Sequence, residues 1–459
     1  MELTIRLHPE DALPLYEQLY RAITAEIAAG RIPVGARLPS RRALCRHLGI
    51  SGSTADAAYA LLVQEGYVSA QEKRGYFVRP LQPLTPVKPA KRPDGPPASA
   101  APPEFDFSTS AVDAGLFPYA TWIRLFRDTL QSRPELLQRG DPQGDWELRA
   151  ALCDFLYQRR GARISPCQLV IGAGADYLTG LLLQLLPKGT VVAAEDPGYN
   201  GIYRAGDRLG LPVLPIPLDE EGMSVDALAR SGASVCHITP SHQFPLGMSM
   251  PIGRRSQLLH WAQEQEGRYI IEDDYDSEFR HRLRPLPALQ GLSEQDRVIY
   301  LGTFSRSLAP SMRLAYMALP EPLLQQYHRD HHKSGETVSR FEQQTLAAFI
   351  AGGYLQRHLR RAGNAYAQRS ERLLELLYAV PGARAQGTEA GLHFLLTIPQ
   401  WSEADLVGRA SKAGIALHGV SAYCRNAKAP PSTLVMGYAG LRDDQLEAAV
   451  DTLRRAWNV

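Results

Sequence analysis

From residue 15 onward an apolar side chain recurs at every fourth position, Leu15, Leu19, Ile23 and Ile27, which predicts an amphipathic helix ended by Gly30. The stretch "LPSRRALCRHLGIS" predicts a second, shorter helix with Ser40 as N-cap, Ala43, Leu44 and Leu48 facing inward, and Gly49 as its stop. A third helix is predicted from Ser51 or Ser53 to Gln64, with Gly66 closing it. The period then changes: "YVSAQEKRGYFVRP" alternates and turns at Lys73-Arg74-Gly75, the pattern of a two-stranded hairpin. A helix, a helix-turn-helix and a hairpin, in that order, predict a winged helix that reads DNA.

Residues 80–103, "PLQPLTPVKPAKRPDGPPASAAPP", hold nine prolines and almost no large apolar side chain. Such a segment cannot build a core and is predicted to be an extended, semi-stiff tether. It divides the chain into a small domain, residues 1–79, and a large one, residues 104–459. In the large domain, strand-like runs alternate with helical segments: "CQLVIGAG", "TVVAAEDPGY", "ASVCHITPSHQ", "RYIIEDDYDSEF" and "RVIYLGTFS". Each ends in small or polar residues, so the class is α/β, with ligand chemistry expected at the strand ends.

Composition narrows the reading. With 459 residues and 44% hydrophobic content the chain can bury at least one large core. It contains no long apolar run and its first residues carry no leader pattern, so a cytoplasmic protein without a membrane partner is expected. Cys45, Cys153, Cys167, Cys236 and Cys424 form no C-x-x-C pair, which argues against a disulfide framework or a zinc ribbon. The net charge of +2 hides a local feature: Arg31, Arg37, Arg41, Arg42 and Arg46 occur between residues 31 and 55 without one acid. Such a patch, on a winged helix, is an electrostatic footprint for double-stranded DNA.

The strand ends of the large domain carry a second chemistry. Asp273, after a buried run, can hold a ring nitrogen protonated, and Tyr275 can hydrogen-bond a ring oxygen. Tyr199, in "EDPGY", offers a flat face for stacking. Thr303, Ser305 and Arg313, with the amides near Gly174 and Ala175 where a helix opens, can hold a phosphate. Taken singly, each of these is better explained by a cap, an ion pair or packing. As a set they describe pyridoxal 5'-phosphate. "GAGADY" lacks the third glycine of a dinucleotide loop and is not read as one.

The small domain, through "RLPSRRALCRHLGIS", "AAYALLVQEGYV" and "KRGYFV", resembles the DNA-binding domain of GntR-type regulators. The resemblance implies that Ser40, Arg41, Arg42, Thr54, Arg74 and Gly75 meet phosphates or base edges. Gly52 departs from it, since the family usually has arginine after the serine that opens the recognition helix. The large domain, through "GAGADYL", "EDPGY", "TPSHQFPLG", "EDDYDSEF" and "GTFSRSLAPSMRLAY", resembles a fold-type I aminotransferase. Together the two halves resemble the MocR group of regulators.

This second resemblance implies roles: Asp273 to the pyridinium nitrogen, Tyr275 to the ring oxygen, Tyr199 to stacking, Thr303, Ser305 and Arg313 to the phosphate, and His242 within a pocket-lining motif. It also implies a homodimer. Three positions depart from it. Arg306 stands where the family has the lysine that forms a Schiff base, and a guanidinium is not a usable nucleophile. Val435, two residues before Gly437, replaces the arginine that commonly binds the substrate carboxylate, and Gly201 replaces an arginine found within the group. No catalytic residue is therefore assigned. The expected protein is a DNA-binding transcriptional regulator whose large domain senses pyridoxal phosphate, held noncovalently, or a related or amino-acid ligand. A working aminotransferase with an accessory DNA-binding domain, or a scaffold without cofactor, are the alternatives.

Overall fold

The computed structural model describes residues 5–80, 102–280 and 286–459, and the proline-rich segment between residues 81 and 101 lies outside the described residues. The chain forms two compact units, Met1–Ala100 and Ala101–Val459, whose boundary falls within the predicted tether.

In the first unit, helix α1 (Leu15–Ala28) buries Leu19, Ile23 and Ile27. Helix α2 (Arg41–Leu48) starts at Ser40, whose hydroxyl accepts from the Ala43 amide at 3.3 Å, and ends on Gly49 at φ 66°. Ala43 is exposed, contrary to the predicted inward face, while Leu48 is half-buried and packs against the core as expected. Leu44 is the buried residue of α2, because Ala43, one position away, is rotated by about 100° toward solvent. Helix α3 (Gly52–Gln64) is capped by Ser51 and buries Ala55, Ala58, Tyr59 and Leu62. The Tyr59 hydroxyl donates to Pro39 O at 2.8 Å, tying α3 to the start of α2. Strands β1 (Val68–Gln71) and β2 (Gly75–Val78) pair antiparallel with Val68 opposite Val78, and the turn between them places Lys73 at φ 59°. This is the winged helix that the periodicity predicted.

The second unit begins with β3 (Phe105–Asp106) and helices α4 (Tyr119–Ser132) and α5 (Trp146–Arg160). Its centre is an eight-stranded sheet. The strands are β4 (Leu169–Gly172), β5 (Val192–Asp196), β6 (Val213–Asp219), β7 (Gly222–Met223), β8 (Val235–Ile238), β9 (Tyr269–Asp274), β10 (Val298–Thr303) and β11 (Ala315–Ala318). Their spatial order is β4-β11-β10-β9-β8-β5-β6-β7. Strands β10, β9, β8, β5 and β6 run parallel, and β11 runs antiparallel to β10 and β4. Consecutive residues go to opposite apolar layers, Ile271 to one and Ile270 to the other, Val235 to one and Cys236 to the other. Covering on both faces is what makes such strands read as continuous apolar runs. Helices α6 (Ala175–Leu185) and α7 (Asn200–Leu209) follow β4 and β5.

The chain then builds β12 (Arg384–Gln386), β13 (His393–Thr397), β14 (Ile415–Ala416), β15 (His418–Gly419) and β16 (Thr433–Gly437). Four of these form an antiparallel sheet in the order β12-β13-β16-β15, while β14 pairs with β3. Among the described residues no helix is long and apolar enough to cross a membrane.

Candidate functional site

The carboxyl ends of β5, β8, β9 and β10 and the start of α6 surround a cavity of about 380 Å³. Parallel strands point their ends and loops at such a crevice, which is why function collects there. Ala175, Tyr199, Asp273, Tyr275, Thr303, Ser305, Arg306 and Arg313 all line it.

Asp273 is 6% exposed, and its Oδ2 lies 3.3 Å from Nε2 of His237 on the neighbouring strand, off the line of a good hydrogen bond. His237 was not singled out from the sequence; the signal was a histidine within the apolar run "SVCHIT". Tyr199 lies over that imidazole, with ring centroids 6.4 Å apart and planes 26° from parallel. Its hydroxyl donates to Asp176 at 2.8 Å, and burial, reinforced by Asp176, raises the phenol pKa. A Cβ on Gly201 would lie 2.1 Å from the Tyr199 ring, so glycine is what leaves room for Tyr199 here.

Tyr275 donates to His242 O at 3.0 Å and lies 3.0 Å from His242 Nδ1, which also meets Asp276 Oδ2 at 2.9 Å. His242 is buried behind Tyr275 and does not line the cavity. It orients the phenol, and it would touch a ligand only through Tyr275. Thr303 and Ser305 hold each other, Thr303 Oγ1 accepting from the Ser305 amide at 3.1 Å and donating to its hydroxyl at 3.0 Å. Arg313 sits at φ 48°, closing a short turn, with its guanidinium against Gly174 and 4.0 Å from Asp176. Gly174 does not line the cavity but precedes α6 at φ 94°, ψ 164°.

Arg306 is half-buried in the cavity wall, and no hydrogen bond or ion pair reaches it among the described residues. Desolvation draws its pKa down, and Asp276, Tyr275, Tyr199 and Tyr423 oppose that. No lysine lines the cavity. Val435 is 1% exposed in β16, packed with Leu395 and Val420, so that position presents no charge to a ligand.

Several lining residues were not found by sequence reasoning: Ser108, Thr109, Ser110, Asp176, Asn200, Arg204, Thr239, Phe244, Pro310, His418 and Tyr423. Tyr423 arrives through a long-range tie that no local pattern announces. The buried carboxylate of Asp196 accepts from the amides of Arg425, Asn426 and Ala427 at 2.8, 2.7 and 2.7 Å, and so docks the loop that carries Tyr423.

In the winged helix the arginine patch is partly neutralised. Arg41 pairs with Asp56 at 2.5 Å and Arg31 with Glu26 at 2.7 Å, both acids lying just outside the acid-free window. Helix geometry thus brings back charges that a count along the chain leaves out. Arg42 and Arg46 are exposed without an ion pair among the described residues. Arg37 packs over Gly75, where a Cβ would be 3.1 Å from its Nε, and Arg74 lies 5.8 Å over the Phe77 ring. Thr54 is half-buried in the first turn of α3 and hydrogen-bonded to the cap Ser51.

Residues 15–78 match the bacterial regulatory proteins of the gntR family, and residues 105–453 match aminotransferase class I and II. The HTH-type transcriptional regulator YdeL of Bacillus subtilis is 36% identical, with 100% of both chains covered. The HTH-type pyridoxine biosynthesis transcriptional regulator PdxR of Corynebacterium glutamicum is 31% identical over 97% of this chain and 96% of its own. The probable rhizopine catabolism regulatory protein MocR of Rhizobium meliloti is 30% identical, over 97% and 94%. The large unit is similar to the kynurenine aminotransferase of Pyrococcus horikoshii, with a TM-score of 0.68 and 25% identity over 77% of this chain and 90% of that one. A GntR-type domain that binds DNA, followed by a fold-type I aminotransferase domain of the kind that binds pyridoxal phosphate, places the chain in the MocR group of HTH-type transcriptional regulators.

Proposed function

We propose that the large domain senses a pyridoxal-phosphate-type ligand without bonding to it covalently, and that this binding alters the affinity of the winged helix for its operator. The observation that carries this reading is one cavity containing Asp273, Tyr275, Tyr199, Thr303, Ser305 and Arg313 together with Arg306 in place of the lysine. The residues fit the cofactor. Asp273 is the buried acid for the ring nitrogen, Tyr275 is held by His242 to meet the ring hydroxyl, and Tyr199 supplies the stacking face. The bare Cα of Gly174 leaves room for the Arg313 guanidinium, which together with Thr303 and Ser305 takes the phosphate. Bound there, pyridoxal phosphate supplies an aldehyde that reacts with primary amines. Arg306 cannot supply one, nor can it act as the base that moves a proton during transamination, which weighs against the aminotransferase alternative.

In the small domain we assign Arg42 and Arg74 to phosphate contact, with Arg41 available once it leaves Asp56. The cap Ser40 and the half-buried Thr54 place the helix ends that face the duplex, and Gly75 gives the wing its turn at φ 108°. The two domains are assigned to residues 1–79 and 104–459, and the protein to the cytoplasm. The test is an absorbance titration with pyridoxal phosphate beside an operator gel shift at matched ligand concentrations. Saturable binding that shifts operator affinity supports the sensor; saturable binding with no change in operator affinity refutes it.

A further inference from the structure

Resting on that reading, we infer that the preferred ligand is the oxidised member of this class: a 5-phosphorylated 3-hydroxypyridine that carries a carboxylate, rather than an aldehyde or an aminomethyl group, at ring position 4. The cavity is lined by Thr303, Ser305 and Arg313, at and beyond the end of β10, and by Asp273 and Tyr275 at the end of β9. On a pyridine these correspond to the phosphate arm at position 5, the nitrogen and the hydroxyl at position 3. The substituent at position 4 lies between the hydroxyl and the phosphate arm, where a fold-type I protein places its lysine and this one places Arg306.

Arg306 remains a cation with no hydrogen-bonding partner among the described residues; Tyr199, Tyr275 and Tyr423 line the cavity with it, and Asp276 is the acid whose charge acts on it most. Asp276 is occupied by His242 at 2.9 Å. A half-buried guanidinium without an acceptor is an unfilled demand for an anion, and its planar fork matches a carboxylate in two parallel hydrogen bonds. It repels the ammonium of the aminomethyl form, and to the aldehyde it offers only a neutral acceptor. An amino acid joined at position 4 would carry its carboxylate further out, and besides Arg306 and Arg313 the one arginine among the lining residues, Arg204, is exposed. A ligand with its carboxylate on the ring also needs no imine chemistry, so the missing lysine costs it nothing.

The test is calorimetric titration of the full chain with 4-pyridoxic acid 5'-phosphate, pyridoxal phosphate, pyridoxamine phosphate and phosphopyridoxyl-leucine. The expected order places the ring carboxylate first, at least about tenfold tighter than the amine, the discrimination that one charge-assisted pair gives. Arg306→Gln should weaken the ring carboxylate by about tenfold or more while the amine form, freed of the like charge, binds as tightly as before or more tightly, an asymmetry that misfolding cannot produce. Equal or tighter binding of the aldehyde, the amine or phosphopyridoxyl-leucine by the unmodified chain overturns the inference, even if the variant does not fold, and leaves the pyridine-phosphate reading standing. If none of the four binds, that underlying reading falls, and this inference with it.

Discussion

Gly174→Ala tests whether the phosphate end of the cavity depends on a backbone that no side chain tolerates. Gly174 adopts φ 94°, ψ 164°, a region populated almost only by glycine. Holding alanine there costs about 1–3 kcal/mol of domain stability. The added methyl would also sit 2.6 Å from Arg313 Nη2 and 2.8 Å from its Cζ, so the guanidinium must move. The side chain is flexible and the movement itself is cheap, but the charge leaves its place. Loss of one charge-assisted contact to a phosphate is worth about 1.5–3 kcal/mol, or roughly 10- to 150-fold in affinity. Urea unfolding and calorimetric titration with pyridoxal phosphate measure the two effects separately. Gly180→Ala is the control: it lies within helix α6, which Gly174 precedes, a Cβ added there would meet nothing within 4 Å, and the change should leave affinity unchanged while stability holds or rises. If the two variants behave alike, the assignment of Gly174 and Arg313 to the phosphate is wrong.

Three further outcomes are expected. Burial pushes the Glu195 carboxyl up to about 7 against hydrogen bonds from Thr239 and Gln243. An acid whose pKa is raised on folding binds more protons folded than unfolded, so its contribution to stability falls as pH rises from about 4.5 to 7, by up to roughly 3 kcal/mol. Glu195→Gln should flatten the fall in melting temperature between pH 5 and pH 8, and identical pH profiles would show that Glu195 is not the source. Replacing Arg41 and Arg42 by alanine should weaken operator binding and lower the salt slope by up to about 2, read by gel shift across a salt series; unchanged values would remove this face from the DNA interface. Exposed Tyr119, Ile123, Leu137 and Trp146 leave α4 and its flanks with apolar surface to cover, so light scattering of the full chain should return a dimer, and a monomer mass at micromolar concentration would contradict it.

What could be read in advance follows the range of the interactions involved. The winged helix was legible because caps, stops and periods are local: Ser40, Gly49 and the Lys73 turn all act within a few residues of themselves. The parallel strands were legible because both faces are covered, which leaves uninterrupted apolar runs. Residues at strand ends, Asp273, Tyr199 and Thr303, could be named for the same reason. The pairing of Arg41 with Asp56 spans two helices, and the docking of residues 425–427 on Asp196 spans most of the large unit. Neither has a sequence period. His237 was missed because a histidine in an apolar run looks like core until the neighbouring strand places Asp273 beside it.

The central claim, a pyridoxal-phosphate pocket that Arg306 keeps noncovalent, is tested most directly by borohydride reduction and peptide mass spectrometry after loading with pyridoxal phosphate, on the unmodified chain and on Arg306→Lys. The account predicts saturable absorbance changes with no adduct at residue 306 in the first, and a reduced phosphopyridoxyl group on residue 306 in the second, because the groups around that position are already arranged for it. If the lysine variant is folded, yet carries no adduct and binds no cofactor, the cavity is not a pyridoxal-phosphate pocket.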